Sequence, residues 1–215
     1  LFNNEDILRS LVNTVIIAVA ASVLATVLGT VAALGIHSMK KTPRSLIMGA
    51  TYIPVINPEI IMGISLMLLF KFFVDYFGFK FGFVSLILAH ISFDVPYVIY
   101  NVLPKLRTMN PNLVEAACDL GCNQRMAFFK VVIPEIMPGI FSGFLMALTY
   151  SVDDFVVSYF TSGVGVQTLS ITIESMTRLK ISPEINALSA IIFVVISAIL
   201  ITKNIIENRR LRHER

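Results

Sequence analysis

"EAACDLGCNQRMAFFKVVIP", Glu115 to Pro134, is a polar stretch in a chain that is otherwise more than half apolar. Just upstream, Asn110 followed by Pro111 makes a good helix start, because an Asn side chain caps free N–H groups and proline is tolerated in the first turn. Glu115 then sits near the positive end of that helix. Gly121 supplies the left-handed residue that closes it. Asn123 offers a second cap, and Met126, Phe129 and Val132 or Ile133 follow at helical spacing to form an apolar face. Pro134 and Pro138 are expected to end or kink this second helix. The stretch predicts a short helix, a sharp corner and an amphipathic segment. A helix of about ten residues is marginal in water, so it has to pack on something, either its own bundle or a partner.

The surroundings fix the class. The 215 residues are 56% hydrophobic and only 14% charged, with a mean hydropathy of +0.80, whereas soluble domains carry about 25% charge. An all-α integral membrane protein follows, a single transmembrane domain over residues 1–215 with a polar loop at about 105–133. Five uncharged runs approach the length of about 20 residues that a bilayer core requires. The first lies between Arg9 and Lys40, and in it Ala21, Ala25, Gly29 and Ala33 repeat at every fourth position, a small-residue stripe that admits a close neighbour. The second runs from about Ser45 to Phe70, interrupted by Pro54, Pro58 and Glu59. The third runs from Phe81 to about Pro104, with Asp94 and Pro96 inside it. The fourth begins near Pro138, with Gly139 and Gly143 at GxxxG spacing, and meets Asp153 and Asp154. The last spans roughly Ile185 to Thr202.

Basic residues orient these spans. Twelve of the 17 Lys and Arg fall in three segments: Lys40, Lys41 and Arg44 after the first span; Lys105, Arg107, Arg125 and Lys130 in the polar loop; and Lys203, Arg209, Arg210, Arg212 and Arg215 in the tail. The reading puts Leu1 outside and both the polar loop and Arg215 in the cytoplasm. The net charge of +3 calls for no nucleic-acid partner; the basic tail meets anionic membrane lipid at most. The chain opens at Leu1 without an initiator Met or a signal-peptide pattern, so a segment upstream is expected. Cys118 and Cys122 read as free thiols, since a metal site would need two further ligands and none stands at suitable spacing.

The polar loop resembles the signature of permease subunits of ATP-binding cassette importers of type I. That signature is E-A-A, three residues, G, nine residues, I-x-L-P. Here Glu115-Ala116-Ala117, Gly121, Val131, Ile133 and Pro134 occupy those spacings, with Val for Ile and Ile for Leu. The resemblance implies that Glu115, Ala116, Ala117, Gly121 and Pro134 belong to a coupling helix that docks on a nucleotide-binding subunit. It also implies a bacterial inner membrane and a shared core of five spans, with a sixth N-terminal helix absent here. No G-x-x-x-x-G-K-[ST] loop is present, so the chain is expected to be no enzyme and to carry no cofactor, with ATP and magnesium in the partner ATPase.

The acids inside apolar runs are functional candidates by default. Asp94 stands three residues before Tyr97, and Tyr150 stands three and four residues before Asp153 and Asp154, so a carboxylate accompanies an aromatic ring on one helix face. Ion pairing and cation–π attraction make such faces suited to an organic ammonium ion. Each has a plainer reading: Asp94 satisfying backbone groups freed by Pro96, and Asp153 or Asp154 capping a helix end. Glu59 reads as a helix-start residue and His90 as a hydrogen-bonded bundle residue. The segments Pro58 to Phe70, Ser151 to Gly163 and Ser182 to Ile191 look like spermidine/putrescine permeases of this family. That likeness implies a second related permease, two ATP-binding subunits and an external polyamine-binding protein as partners. Competing expectations are an importer of another cation such as iron or thiamine, and a non-transporting membrane scaffold. An intramembrane aspartyl protease is set aside because its G-x-G-D is missing.

Overall fold

The computed structural model describes residues 5–179, 190–198 and 201. Among these every regular element is helical: α1 (Glu5–Ser38), α2 (Lys41–Ile56), α3 (Glu59–Phe77), α4 (Phe83–Thr108), α5 (Asn112–Asp119), α6 (Gln124–Ala127), a π-turn (Phe128–Val132), α7 (Ile133–Asp153), α8 (Val156–Thr161) and α9 (Leu169–Leu179). Four stretches among them are long and apolar enough to cross a membrane: Glu5–Ser38, Glu59–Phe77, Phe83–Thr108 and Gln124–Asp153. Of the fifth expected span, residues 190–198 and 201 are helical; the rest of it, the start at Leu1 and the basic tail lie outside the described residues.

Small residues decide the packing. Ala21, Ala25 and Ala33 are completely buried, and a Cβ added to Gly29 would come within 2.6 Å of the Val98 Cβ on α4. From the other side, a Cβ on Gly139 of α7 would fall 2.7 Å from the Asn101 carbonyl oxygen and 3.3 Å from the Val102 Cα, and one on Gly143 would fall 3.1 Å from the Val98 Cα. α4 is thus held between glycines of α1 and α7, at distances that exclude a side chain at Gly29 and Gly139 without a shift and leave Gly143 tight. The opposite face of α1 is a row of exposed branched residues, including Val12, Val19, Val23 and Val31. Such a surface suits lipid, which is as apolar as the residues themselves.

Two expectations change. The apolar run from Ser45 to Phe70 is two helices, not one: α2 accommodates Pro54 and stops at Ile56, and α3 starts after Pro58 and continues through Lys71 and Asp75 to Phe77. The Asn57 N–H still reaches the Ile53 carbonyl at 3.0 Å, but Pro58 has no N–H to carry the ladder on. Second, of the expected end or kink at Pro134 and Pro138, the end does not occur. α6, the π-turn and α7 form one continuous span from Gln124. The Ile133 N–H bonds the Phe128 carbonyl in the wider i→i+5 pattern, so the helix widens just ahead of the residue that lacks a donor.

Candidate functional site

On α4, His90, Asp94, Tyr97 and Asn101 recur at intervals of three and four and share one face. That face meets α7 running antiparallel. Val102 lies opposite Gly139, Val98 opposite Gly143, and His90 opposite Ser151, whose hydroxyl is hydrogen-bonded to the imidazole Nδ1. The same register sets Asp94 level with Ala147, a methyl group with nothing to donate. Asp94 is completely buried, and neither carboxylate oxygen has a hydrogen-bond partner among the described residues. It lies within electrostatic reach of Asp154.

One turn further along α4, the Tyr97 ring stacks on Tyr150 of α7, with centroids 4.3 Å apart and planes 21° from parallel. Beyond it, Tyr100 meets Tyr52 of α2 edge-on at 4.9 Å, tying α4 to the helix that breaks at Asn57. Glu59, the first residue of α3 past that break, is exposed and within electrostatic reach of Tyr97. The break between α2 and α3 therefore leaves an exposed acid within electrostatic reach of Tyr97.

α7 ends at Asp153, and the next residue turns the corner. The Asp154 carboxylate caps α8, accepting from the Val157 N–H at 3.2 Å and the Ser158 N–H at 2.7 Å, with its Oδ2 3.7 Å from the His90 Nε2. Asp153 is exposed, and Tyr150 keeps 41% of its surface accessible. Of the residues expected to line a solute path, Tyr97 and Tyr150 are in contact, Asp94 and Asp154 lie buried in the bundle, and Asp153 faces outward at the corner. The helix-cap alternative is realised in Asp154.

At the other end of α4, the polar loop adopts the local shape its sequence encodes. The Asn110 side chain accepts from the Asn112 N–H at 3.0 Å and the Asn123 side chain from the Met126 N–H at 2.8 Å. Gly121 takes φ 89°. Its N–H bonds the Cys118 carbonyl, and the Cys122 N–H bonds the Ala117 carbonyl, which together close α5 as a Schellman motif. Glu115 and Ala116 are exposed, Ala117 is buried, and Leu120 projects with 88% of its surface free. Pro134 is exposed in the first turn of α7. Cys118 and Cys122 are free thiols. No group of three or more His, Cys, Asp or Glu among the described residues could hold a metal ion.

Sequence reasoning underrated two residues. Glu59 does start a helix, yet it also lies within electrostatic reach of Tyr97. His90 is hydrogen-bonded, as expected, but to both sides of the α7–α8 corner. The available signal was the spacing of Ser151, Asp154 and Ser158, which puts three polar groups around one corner.

Residues 7–210 match a family described as the binding-protein-dependent transport system inner membrane component. The chain is 34% identical over 209 residues to the spermidine/putrescine transport system permease protein PotC of Haemophilus influenzae, covering 97% of this chain and 80% of that one. It is 32% identical over 206 residues to PotC of Escherichia coli strain K12, covering 96% and 76%, and 36% identical over 194 residues to the putrescine transport system permease protein PotI of the same strain, covering 87% and 68%. Two solved folds are similar. A chain of an amino acid ABC transporter with histidines aligns at TM-score 0.64 and 21% identity over 94% of this chain and 93% of that one. A chain of the MetNI methionine ABC transporter in inward-facing conformations aligns at TM-score 0.66 and 18% identity over 94% and 97%.

Proposed function

Because the chain belongs to the binding-protein-dependent transport system inner membrane component family, we propose that it is the permease subunit of an ATP-binding cassette importer that brings polyamines into the cytoplasm. The relatives named for spermidine and putrescine supply the substrate class. The observation that carries the reading is the Tyr97–Tyr150 stack, with Glu59, Asp94, Asp153 and Asp154 distributed around it. None of these four acids is ion-paired with a Lys or Arg among the described residues. Aromatic faces and unneutralised carboxylates favour a flexible polyammonium chain, each ring contact being worth about 0.5–2 kcal/mol. Asp153 and Tyr150, both accessible, receive the cation; Tyr97, Asp94 and Asp154 lie deeper on the same route.

The polar loop is the cytoplasmic docking element in this reading, and the orientation rests on the concentration of Lys and Arg at that end. Glu115, Ala116 and Gly121 with the projecting Leu120 present the surface of α5, Ala117 seats it on the bundle, and Pro134 marks where the chain re-enters the membrane. An ATP-hydrolysing partner pulls on this element and α7 transmits the movement, since α6, the π-turn and α7 are continuous. A second permease completes the pathway, two ATP-binding subunits supply energy, and an external binding protein delivers the polyamine. ATP-dependent uptake of radiolabelled putrescine and spermidine by the complex in proteoliposomes tests the assignment. Uptake lost in Asp153→Asn supports it, and an unchanged rate in that variant counts against the site.

A further inference from the structure

The polar groups at the α7–α8 corner converge on one side chain that a solute route does not need as a ligand. His90 is 1% exposed. Its Nδ1 is hydrogen-bonded to the Ser151 hydroxyl and its Nε2 lies 3.0 Å from the Ser158 hydroxyl, with Asp154 at 3.7 Å. Ser151 is on the last turn of α7, between Tyr150 and Asp153; Ser158 is on α8; His90 itself is on α4. A single imidazole therefore joins three helices around the break at Asp154. Nearby, the Ser85 hydroxyl donates to the Thr161 carbonyl at 2.7 Å, so α8 is held to α4 at two points, whereas the last turn of α7 is held to α4 by polar contact through His90 at Ser151 and through Tyr97 at Tyr150.

We propose that His90 is a positioning residue for solute recognition: by gripping Ser151 and Ser158 it sets the rotation of the last turn of α7, and with it the placement of Tyr150 against Tyr97 and the outward presentation of Asp153. The inference deepens the transport reading and rests on it for the identity of the solute. The mechanism is geometric. Tyr150 and Ser151 are adjacent, so a rotation that frees Ser151 from His90 carries the Tyr150 ring off Tyr97. Asp153 follows two residues later on the same turn. An imidazole suits the task because its two ring nitrogens face opposite ways and serve two hydroxyl partners at once, one as donor and one as acceptor. Buried networks of this sort fix one arrangement when every member is satisfied, and here Ser151, Ser158, Asp154 and both nitrogens of His90 are all engaged.

The test uses the assembled importer with His90→Ala and His90→Gln, the latter keeping one donor and one acceptor. The first readout is uptake kinetics with putrescine. His90→Ala is expected to raise KM about tenfold while maximal uptake and basal ATPase activity stay within about twofold, and His90→Gln is expected to recover most of the loss. The second readout is independent of the solute. Tyr97→Cys and Tyr150→Cys together, in a background of Cys118→Ser and Cys122→Ser, are joined by a short bifunctional thiol reagent. Joining is expected to be rapid with His90, slow with His90→Ala and restored with His90→Gln. Unchanged KM and unchanged joining in His90→Ala would overturn the proposal. So would failure of both variants to assemble, which would make His90 a folding residue only. If the wild-type complex takes up no polyamine, the solute assignment fails while the joining rates still decide the role of His90.

Discussion

Tyr97 and Tyr150 lie on different helices and stack with their centroids 4.3 Å apart, at the level where α2 gives way to α3 and where Glu59 comes within electrostatic reach. The pair joins the two helices that the glycines of α7 already bring together, so the proposed recognition site and the packing share one interface. Replacing either ring by Ala removes a contact worth about 0.5–2 kcal/mol to an ammonium ion, or between about twofold and thirtyfold in apparent affinity. Phe at either position should retain most of it, because the ring face is kept. Uptake KM for Ala and Phe variants at both positions checks this; equal losses for Ala and Phe would mean that the hydroxyls carry the effect.

Asp94 is buried with neither oxygen hydrogen-bonded among the described residues, a costly state that stability alone does not explain. Asp94→Asn should stabilise the complex, raising its melting temperature by an amount corresponding to about 1–3 kcal/mol, while lowering polyamine uptake. Thermal unfolding in detergent and uptake in vesicles give the two halves separately. Lower stability in Asp94→Asn would show that the carboxylate has a structural partner.

Gly139 and Gly143 let α7 approach the backbone of α4, with a would-be Cβ at 2.7 Å from the Asn101 carbonyl in the first case. Gly139→Val should therefore push the helices apart and reduce the amount of assembled complex several-fold, a cost of about 1–3 kcal/mol or more from overpacking. Gly35 has nothing within 4 Å of a built Cβ, and Gly35→Ala should assemble normally. Membrane yield and size-exclusion profiles compare them, and equal yields would contradict the packing.

Gly121 closes α5 at φ 89° with open space around its Cβ position. Gly121→Ala should cost about 1 kcal/mol in local strain and leave coupling largely in place. Gly121→Asp or Glu115→Lys should abolish substrate-stimulated ATP hydrolysis by altering the surface offered to the partner. ATPase assays with and without loaded binding protein measure this; full stimulation in both charged variants would remove α5 from the coupling role.

Much of this arrangement is legible in sequence because it is local or periodic. Asn110, Asn123 and Gly121 act on their immediate neighbours, and their caps and corner form as the residue types require. The stripe of Ala21, Ala25, Gly29 and Ala33 is read from spacing alone, and all four are buried. What spacing does not reveal is whether an interrupted apolar run becomes one helix or two: Pro54 is tolerated inside α2, while Pro58 separates two helices. Nor does it reveal partners across helices. Tyr150 is read as the companion of Asp153 and Asp154 on its own helix, yet its ring belongs to Tyr97. Asp154 lies beside Asp153 in sequence but turns inward to α8 and His90, because a helix break lets adjacent residues point in unrelated directions. Pro134 reads as ending or kinking the helix, and the π-turn ahead of it lets the helix continue.

In the proposed function, an acidic and aromatic seam between α4 and α7 moves a polyamine under the drive of ATP. The most direct measurement is accumulation of radiolabelled putrescine and spermidine in proteoliposomes holding the complete complex, with ATP inside and loaded binding protein outside, compared between wild type and an Asp153→Asn, Tyr150→Ala double variant. The account predicts ATP-dependent accumulation by wild type and its reduction at least tenfold in the variant, with assembly preserved. Equal accumulation in the two, or none in wild type alongside uptake of a different cation, would contradict it.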